Sequence, residues 1–406
     1  MDEDAFGAQL RADLPFLTLD PARPGATTIL CLADGPGATW RISFERPLRA
    51  ARARREVRFA CLDEAALRVL PPGAAGAGLR TLMEVLAPDA VVMSRFAGPL
   101  VGPVLREAAR AACPVVVHLD DDLFQVPDEL GPAKAARHGA PARRGSLHAA
   151  CRGADLIYAS TRALHLRLGR AGYPAPAVYG AVYCAAHEPF ADYAPRRPPA
   201  IGYMGTSGHE ADLAAWVPAV LALMRARADL RFETFGTVAM PPALAEAFPG
   251  RVSRRPPVAD YDAFLDAMRG LGWAVGLAPL RPTPFNAVKA DTKLVEYAAA
   301  GIPAVVAEGP AYAEAVAAGA ALAAGSAEAC AAAAAGLLDA PGRAAAQVGR
   351  AHAFLRGHRR ADDLAGQVMR VLTESIRARR AGHRIALPAR VAAGGEAAPA
   401  APPPAA

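Results

Sequence analysis

The residues best suited to chemistry lie in Pro284–Val306 (PFNAVKADTKLVEYAAAGIPAVV). Asn286 is the only asparagine in 406 residues, and Lys289 and Lys293 are two of three lysines, against forty-two arginines. A chain that writes nearly every cation as arginine has set two compact ammonium groups beside its one amide. Gly301 followed by Pro303 is a helix stop, which predicts a short helix over Ala290–Ala300. Lys289, Lys293 and Glu296 then fall at i, i+4 and i+7, on one face. Two lysines at the positive end of a helix cost about 0.3–1 kcal/mol per charge. A bound anion reverses that sign, because free N–H groups, the dipole and both ammoniums converge on it. The plain alternative is a surface Lys293–Glu296 pair of little energetic consequence.

A second group follows the apolar run Pro114–Leu119 (PVVVHL), which ends in Asp120, Asp121 and Asp122. In open α/β sheets ligands bind beyond the carboxyl ends of strands, so these carboxylates are candidates for gripping hydroxyls or polarising a nucleophile. Asp120 and Asp122 also form an Asp-x-Asp pair able to hold a divalent metal with a diphosphate. The remaining reading is a run of caps and turn formers. A glycine-rich turn at Asp34–Ala38, with Gly35 and Gly37, follows the strand Thr27–Ala33. The dinucleotide fingerprint wants a third glycine where Trp40 stands, although Asp63 lies at the distance of a ribose-binding acid, so a nicotinamide reading stays open.

Positioning these groups requires strands alternating with helices, and the pattern supplies them. Strands are expected at Thr27–Ala33, Val57–Leu62, Ala90–Ser94, Pro114–Leu119, Asp155–Ser160 and Val178–Cys184. Helices are expected near Ile42–Arg55, Leu100–Ala112 and Thr161–Ala171, with Gly131–Gly145 a loop. A Pro- and Arg-rich interruption at 195–199 is the best domain boundary. The alternation restarts with strands Ala200–Gly205, Leu230–Gly236, Arg251–Ser253, Trp273–Pro279 and Ala304–Ala307, and helices Glu210–Arg227 and Asp260–Gly270. Two such series predict an α/β protein of two doubly wound, Rossmann-like domains facing across a cleft. The expected division is a leader over 1–26, domains over 27–195 and 200–377, and a disordered tail over 378–406.

Composition narrows the function. Hydrophobic residues make up 53% of the chain, much of it alanine, and no strongly apolar run reaches the length of a membrane span. The acidic opening Met1–Asp4 is unlike a secretion signal. Six cysteines without a C-x-x-C fit free thiols in a reducing cytoplasm. The net charge of +6 and pI near 9.1 come with arginine clusters at 46–58, 251–255 and 356–360. No nucleic-acid motif accompanies them. The 46–58 cluster is read either as a peripheral contact with an anionic membrane surface or as a solvated helix face.

The second half, from Ile201–Thr206 (IGYMGT) through Trp273–Leu280 (WAVGLAPL) to Phe285–Val306, resembles the C-terminal domain of GT-B glycosyltransferases, more narrowly the retaining "glycosyl transferases group 1" type of cell-surface polysaccharide clusters. VVVHLDDDLF (Val115–Phe124) and ADLIYASTRAL (Ala154–Leu164) are similar to parts of that family's N-terminal domain. The resemblance implies a nucleotide-sugar donor in the second domain and a glycan or lipid-linked acceptor in the first. Glu296 matches the second Glu of the family's Glu-x7-Glu motif, expected on ribose hydroxyls, while Val288 stands at the first. Asn286, Lys289 and Asp291 follow a variant Asn-x-x-Lys-x-Asp-x-x-x-x-Glu pattern. Gly205, Thr206, His209 and Gly236 are expected near the nucleotide, Gly35, Gly37 and His118 near the acceptor. Lys289 and Lys293, with Asp120 or Asp121, carry the chemistry, without metal or cofactor. A non-catalytic nucleotide-sugar binder and an epimerase on the same scaffold remain the alternatives.

Overall fold

A computed structural model describes residues 14–35, 37–68, 75–181 and 188–392. Strands β1 (Thr18–Leu19), β2 (Thr27–Ala33), β3 (Val57–Asp63), β4 (Ala90–Ser94), β5 (Val115–Leu119), β6 (Leu156–Ala159) and β7 (Ala177–Tyr179) form one sheet in the order β1-β3-β2-β4-β5-β6-β7. Only β1 runs antiparallel, against β3. Strands β8 (Ala200–Gly205), β9 (Arg231–Gly236), β10 (Val252–Arg255), β11 (Val275–Ala278), β12 (Ala304–Ala307) and β13 (Leu322–Ala324) form a second, wholly parallel sheet, β10-β9-β8-β11-β12-β13. The expected strands thus form, two doubly wound sheets among helices. The expected strand Val178–Cys184 shortens to β7, and its end at 182–187 lies outside the described residues, as do 1–13 and 393–406.

The chain divides into two compact units. One comprises 1–124, 138–184 and 361–406, the other 125–137 and 185–360. This differs from the expected division at two places. The helix Ala361–Ala381 belongs to the first unit, because Val368, Val371, Leu372 and Ile376 enter a core with Phe44, Val57 and Tyr158. Burying such a side chain contributes about 1.5–3 kcal/mol. Residues 382–392, expected as tail, continue onto the same sheet, where Tyr179 N donates to Ala389 O (2.7 Å) and Val391 N to Tyr179 O (2.8 Å). The second departure, segment 125–137, joins the second unit.

Helix boundaries diverge where proline misleads. The expected loop 131–145 is two helices, Pro132–Gly139 and Pro141–Gly153. Each opens on a proline, which costs nothing at a first turn that lacks intrahelical N–H bonds. The expected helix Glu210–Arg227 breaks into Glu210–Ala214 and Val217–Ala226 at Pro218. The expected helix at 42–55 is a π-turn, Arg41–Glu45, and a short helix, Arg49–Ala53. Part of the arginine run 46–58 is engaged within the unit. Arg58 donates to the carbonyls of Asp20 and Leu86 (both 3.2 Å), Arg52 forks onto Asp20 (2.7 Å twice), and Arg54 pairs with Glu56. Arg46 and Arg58 are buried, while Arg49, Arg54 and Arg55 are exposed.

Candidate functional site

The strand order of the second sheet fixes where its site lies. The chain steps outward from β8 to β9 and β10, then returns to start the other half at β11. A crevice therefore opens where β8 and β11 part, beyond their carboxyl ends. These strands pair only through Val275↔Ile201 and Gly276↔Gly202. Past that point the Tyr297 hydroxyl replaces the ladder, accepting from Met204 N (3.0 Å) and donating to Leu277 O (2.9 Å). Gly276 leaves room for the ring, since a Cβ there would lie 2.9 Å from it.

Two loops meet at this point, residues 206–209 after β8 and 279–291 after β11. Asp212, buried in the first turn of Glu210–Ala214, ties them together. Its Oδ1 accepts from Arg281 N (3.0 Å) and Asn286 Nδ2 (2.9 Å), and its Oδ2 faces His209 Nδ1 (3.3 Å). Asn286 Nδ2 also donates to Arg281 O (3.1 Å). The chain's single asparagine is therefore a bracket between loops. His209 is held down at about 4, by burial first and then by the charges of Lys293 and Lys289, with Asp212 opposing. Its imidazole is neutral near pH 7.

The lysines are positioned differently from the expected single helical face. The helix is Thr292–Ala299, so Lys293 sits in its first turn while Lys289 precedes it, in extended backbone after the 3-10 turn Asn286–Val288. Their ammoniums lie against aromatic faces, Lys289 Nζ 4.7 Å from the Phe285 ring centre and Lys293 Nζ 5.5 Å from that of Tyr203. The Tyr203 hydroxyl, buried beside Lys293, has no hydrogen-bond partner among the described residues.

Glu296 lies one turn further on, buried, and accepts from the Tyr261 hydroxyl (2.9 Å). Burial pushes its carboxyl up to about 7, against the Tyr261 hydrogen bond and the Lys293 charge. A carboxyl whose folded value exceeds its unfolded one binds more protons when folded, so it weakens the fold as pH rises between the two values. The wild type is thus expected to lose stability from pH 5 to pH 8 relative to Glu296→Gln. Urea titrations of both proteins at several pH values check this, and parallel curves refute it.

Other expected members have different duties. Asp291 stands at the N-cap position of Thr292–Ala299 without a capping hydrogen bond, and pairs with Arg359 (2.9 Å), just past the helix Pro341–His358, in a buried ion pair that anchors the lysine-bearing segment. Gly236 has a φ of 109°, and a Cβ on it would collide with the Gly205 carbonyl, which accepts from Val238 N (3.1 Å). These two glycines bring the ends of β8 and β9 together. In the loop itself Ser207 N donates to Thr237 Oγ1 (2.7 Å) and Gly208 N to Glu210 Oε2 (2.6 Å), while Thr206 is exposed. Val288 is buried. Sequence reasoning passed over Asp212, Tyr261 and Tyr297. The available signal was the spacing His209-x-x-Asp212, one helical turn apart at a strand's end.

In the first unit the carboxylates also gather near a switch point, where the chain has gone from β2 out to β3 and returned to β4 on the other side. Arg95 Nη1 donates to Asp120 Oδ1 (2.7 Å) and Asp121 Oδ2 (3.0 Å), and Thr39 Oγ1 to Asp120 Oδ2 (2.9 Å). Asp122 pairs instead with Arg167. The Asp-x-Asp pair is therefore divided between two arginines, and no group of three potential metal ligands occurs among the described residues. Arg143 bridges Asp34 (2.6 Å) and Glu64 (3.1 Å) beside the open Gly35 and Gly37 turn. Asp63 caps the helix Glu64–Leu67 through Ala66 N, which removes it from the ribose role. His118 corrects its expectation. It is wholly buried, its Nδ1 meets Ser94 Oγ (3.0 Å), and burial lowers it to about 4, so it cannot touch an acceptor.

No protein-family model and no curated protein matches the sequence. Solved structures match by fold. HepE of Anabaena, crystallised with UDP-glucose, aligns with a TM-score of 0.58 at 15% identity, over 85% of this chain and 99% of that one. An α,α-trehalose-phosphate synthase (UDP-forming) of Burkholderia xenovorans aligns with a TM-score of 0.54 at 13% identity, over 85% and 100%. A candidate UDP-N-acetylglucosamine 2-epimerase of Listeria monocytogenes aligns with a TM-score of 0.53 at 12% identity, over 87% and 97%. At such identities the likeness establishes the fold, a pair of Rossmann-like domains of the GT-B type. No helix among the described residues is long and apolar enough to cross a membrane.

Proposed function

We propose that the chain is a glycosyltransferase that moves a sugar from a nucleoside-diphosphate sugar to an acceptor hydroxyl. The observation that carries this is the placement of Lys289 just before, and Lys293 within, the first turn of Thr292–Ala299, with Lys293 against Tyr203 at the end of β8, where β8 and β11 part. Departure of a nucleoside diphosphate develops negative charge on phosphate, and prepositioned cations with helix N–H groups stabilise that charge most in the transition state. The buried Tyr203 hydroxyl is a further donor beside Lys293. Glu296, with Tyr261 behind it, suits ribose hydroxyls. Uracil is the base to test first, since HepE was solved with UDP-glucose and the trehalose-phosphate synthase is UDP-forming.

On the acceptor side Asp121 is the more exposed of the two carboxylates on Arg95, and it would orient the hydroxyl. The lysines supply the electrostatics without metal or cofactor, so activity should survive a chelator. Retention of configuration, a glycan or lipid-linked acceptor in surface-glycan synthesis, and a cytoplasmic location extend the family resemblance. The fold likeness to the Listeria protein keeps an epimerase as second reading, and Val288 in place of a glutamate keeps a non-catalytic binder as third.

Titration calorimetry with UDP, GDP and ADP tests the site. The wild type should bind one of them, and Lys289→Ala/Lys293→Ala should bind it at least ~100-fold more weakly, since each charged hydrogen bond contributes about 1.5–3 kcal/mol. No binding, or unchanged binding by the double variant, overturns the reading. Binding of a nucleotide sugar with inversion at one sugar carbon and no transfer selects the epimerase. Binding with neither selects the non-catalytic protein.

A further inference from the structure

The chain's third lysine, Lys134, lies 155 residues before Lys289 in sequence, in the segment 125–137 that belongs to the second compact unit. This segment makes three contacts with the two loops of the donor site. Glu129 pairs with Arg281 (3.1 Å) in the loop after β11. The Leu130 carbonyl occupies the space that a Cβ on Gly208 would take, and Gly208 has a φ of 98°, so any larger residue there is strained and displaces the segment. Lys134 Nζ donates to the Ser207 carbonyl (2.7 Å). Lys134 thus joins the loop after β8, while Lys289 lies in the loop after β11 and Lys293 in the helix that follows it.

The hydrogen bonds of residues 207 and 208 explain what Lys134 does. Ser207 N is held by Thr237, Gly208 N by Glu210, and Ser207 O by Lys134. With those N–H groups engaged, this part of the loop does not cradle phosphate through its backbone as a P-loop does. It instead fixes His209, the next residue, which hydrogen-bonds Asp212 within the field of Lys293 and Lys289. We propose that Lys134 is a positioning residue of the donor site: by gripping the Ser207 carbonyl it sets the loop that carries His209 against the two phosphate-facing lysines. The inference rests on the donor-site reading above.

The test compares UDP with uridine by calorimetry in the full chain, for the wild type, Lys134→Met and Lys134→Arg. Lys134→Met should weaken UDP by about tenfold, one charge-assisted hydrogen bond's worth. Uridine, which lacks the phosphates, should change less than twofold, and Lys134→Arg should recover most of the UDP affinity. Equal losses for UDP and uridine, or UDP binding unchanged in Lys134→Met, overturn the inference. If the wild type binds neither UDP nor any other nucleoside diphosphate, the donor-site reading fails instead. A folding defect is recognised separately, as a shifted urea midpoint without ligand that Lys134→Arg does not correct.

Discussion

Asp212→Ala is expected to cost about 3–5 kcal/mol of stability and to abolish nucleotide binding. One buried carboxylate holds the Arg281 amide, the Asn286 side chain and the His209 imidazole. Burial pushes its pKa up, and the hydrogen bonds from His209, the Arg281 amide and Asn286 more than reverse this, so its value falls below the ordinary aspartate range. Those interactions therefore favour the charged form. Alanine removes all three at once, and each buried donor left unsatisfied costs about 1–3 kcal/mol. The losses reach the site as well, because Asn286 and Arg281 fix the loop that delivers Lys289. Asp212→Asn separates the effects. Its remaining carbonyl can keep Arg281 and Asn286 while its amide no longer accepts from His209, so it should stay folded at a midpoint between wild type and alanine. Urea midpoints at constant slope measure the series, and an alanine variant within 1 kcal/mol of wild type would refute the bracket.

Asp212 also marks where the sequence stops being informative. Period and punctuation located β2, β4, β8 and β12 to the residue, because buried parallel strands are short apolar runs bounded by Gly, Pro or Asp. The lysine-bearing stretch after the second sheet's fourth strand was legible for the same reason, and the rarity of Lys and Asn marked it, but the order of the strands within the sheet was not. Partnership was not legible. Nothing local to Asp291 announces Arg359, sixty-eight residues on, and nothing in PVVVHL distinguishes a histidine sealed between Phe44 and Tyr158 from one facing a ligand. Proline was read as a breaker where it opened helices at 132 and 141. Segment 125–137 was invisible as part of the second unit, since its allegiance depends on Leu130 meeting Gly208 and Lys134 meeting Ser207, and neither pair leaves a trace in sequence spacing. Nor was the packing duty of the glycines in β8 legible, since it depends on neighbours distant in sequence.

The larger structural penalty is expected at one of those glycines. In Gly202→Ala the added methyl would overlap the Trp273 indole, which lies flat over the glycine and is fully buried. The strand cannot yield, being paired on one side to Glu233 in β9 and on the other to Gly276 in β11. The indole must move, and it is tethered, with Nε1 donating to Glu233 Oε2 (2.9 Å). That carboxylate is itself buried and carries Ser253 Oγ (2.7 Å) and Arg196 (2.7 Å). Overpacking costs about 1–3 kcal/mol, and a lost hydrogen bond to a buried charge about 1.5–3 kcal/mol more. A total of about 3–6 kcal/mol is comparable with the whole stability of a typical domain, about 5–15 kcal/mol. Gly202→Ala should therefore unfold at much lower urea or fail to accumulate as soluble protein. Trp273→Phe narrows the ring and drops the tether, so it is destabilising alone, yet it makes room for the methyl. In that background Gly202→Ala should cost at least 1 kcal/mol less than in the wild type, a coupling of the size expected for residues in contact. Strictly additive effects would mean that the indole does not press on the strand, and the tight seam between β8 and Trp273 would have to be redrawn.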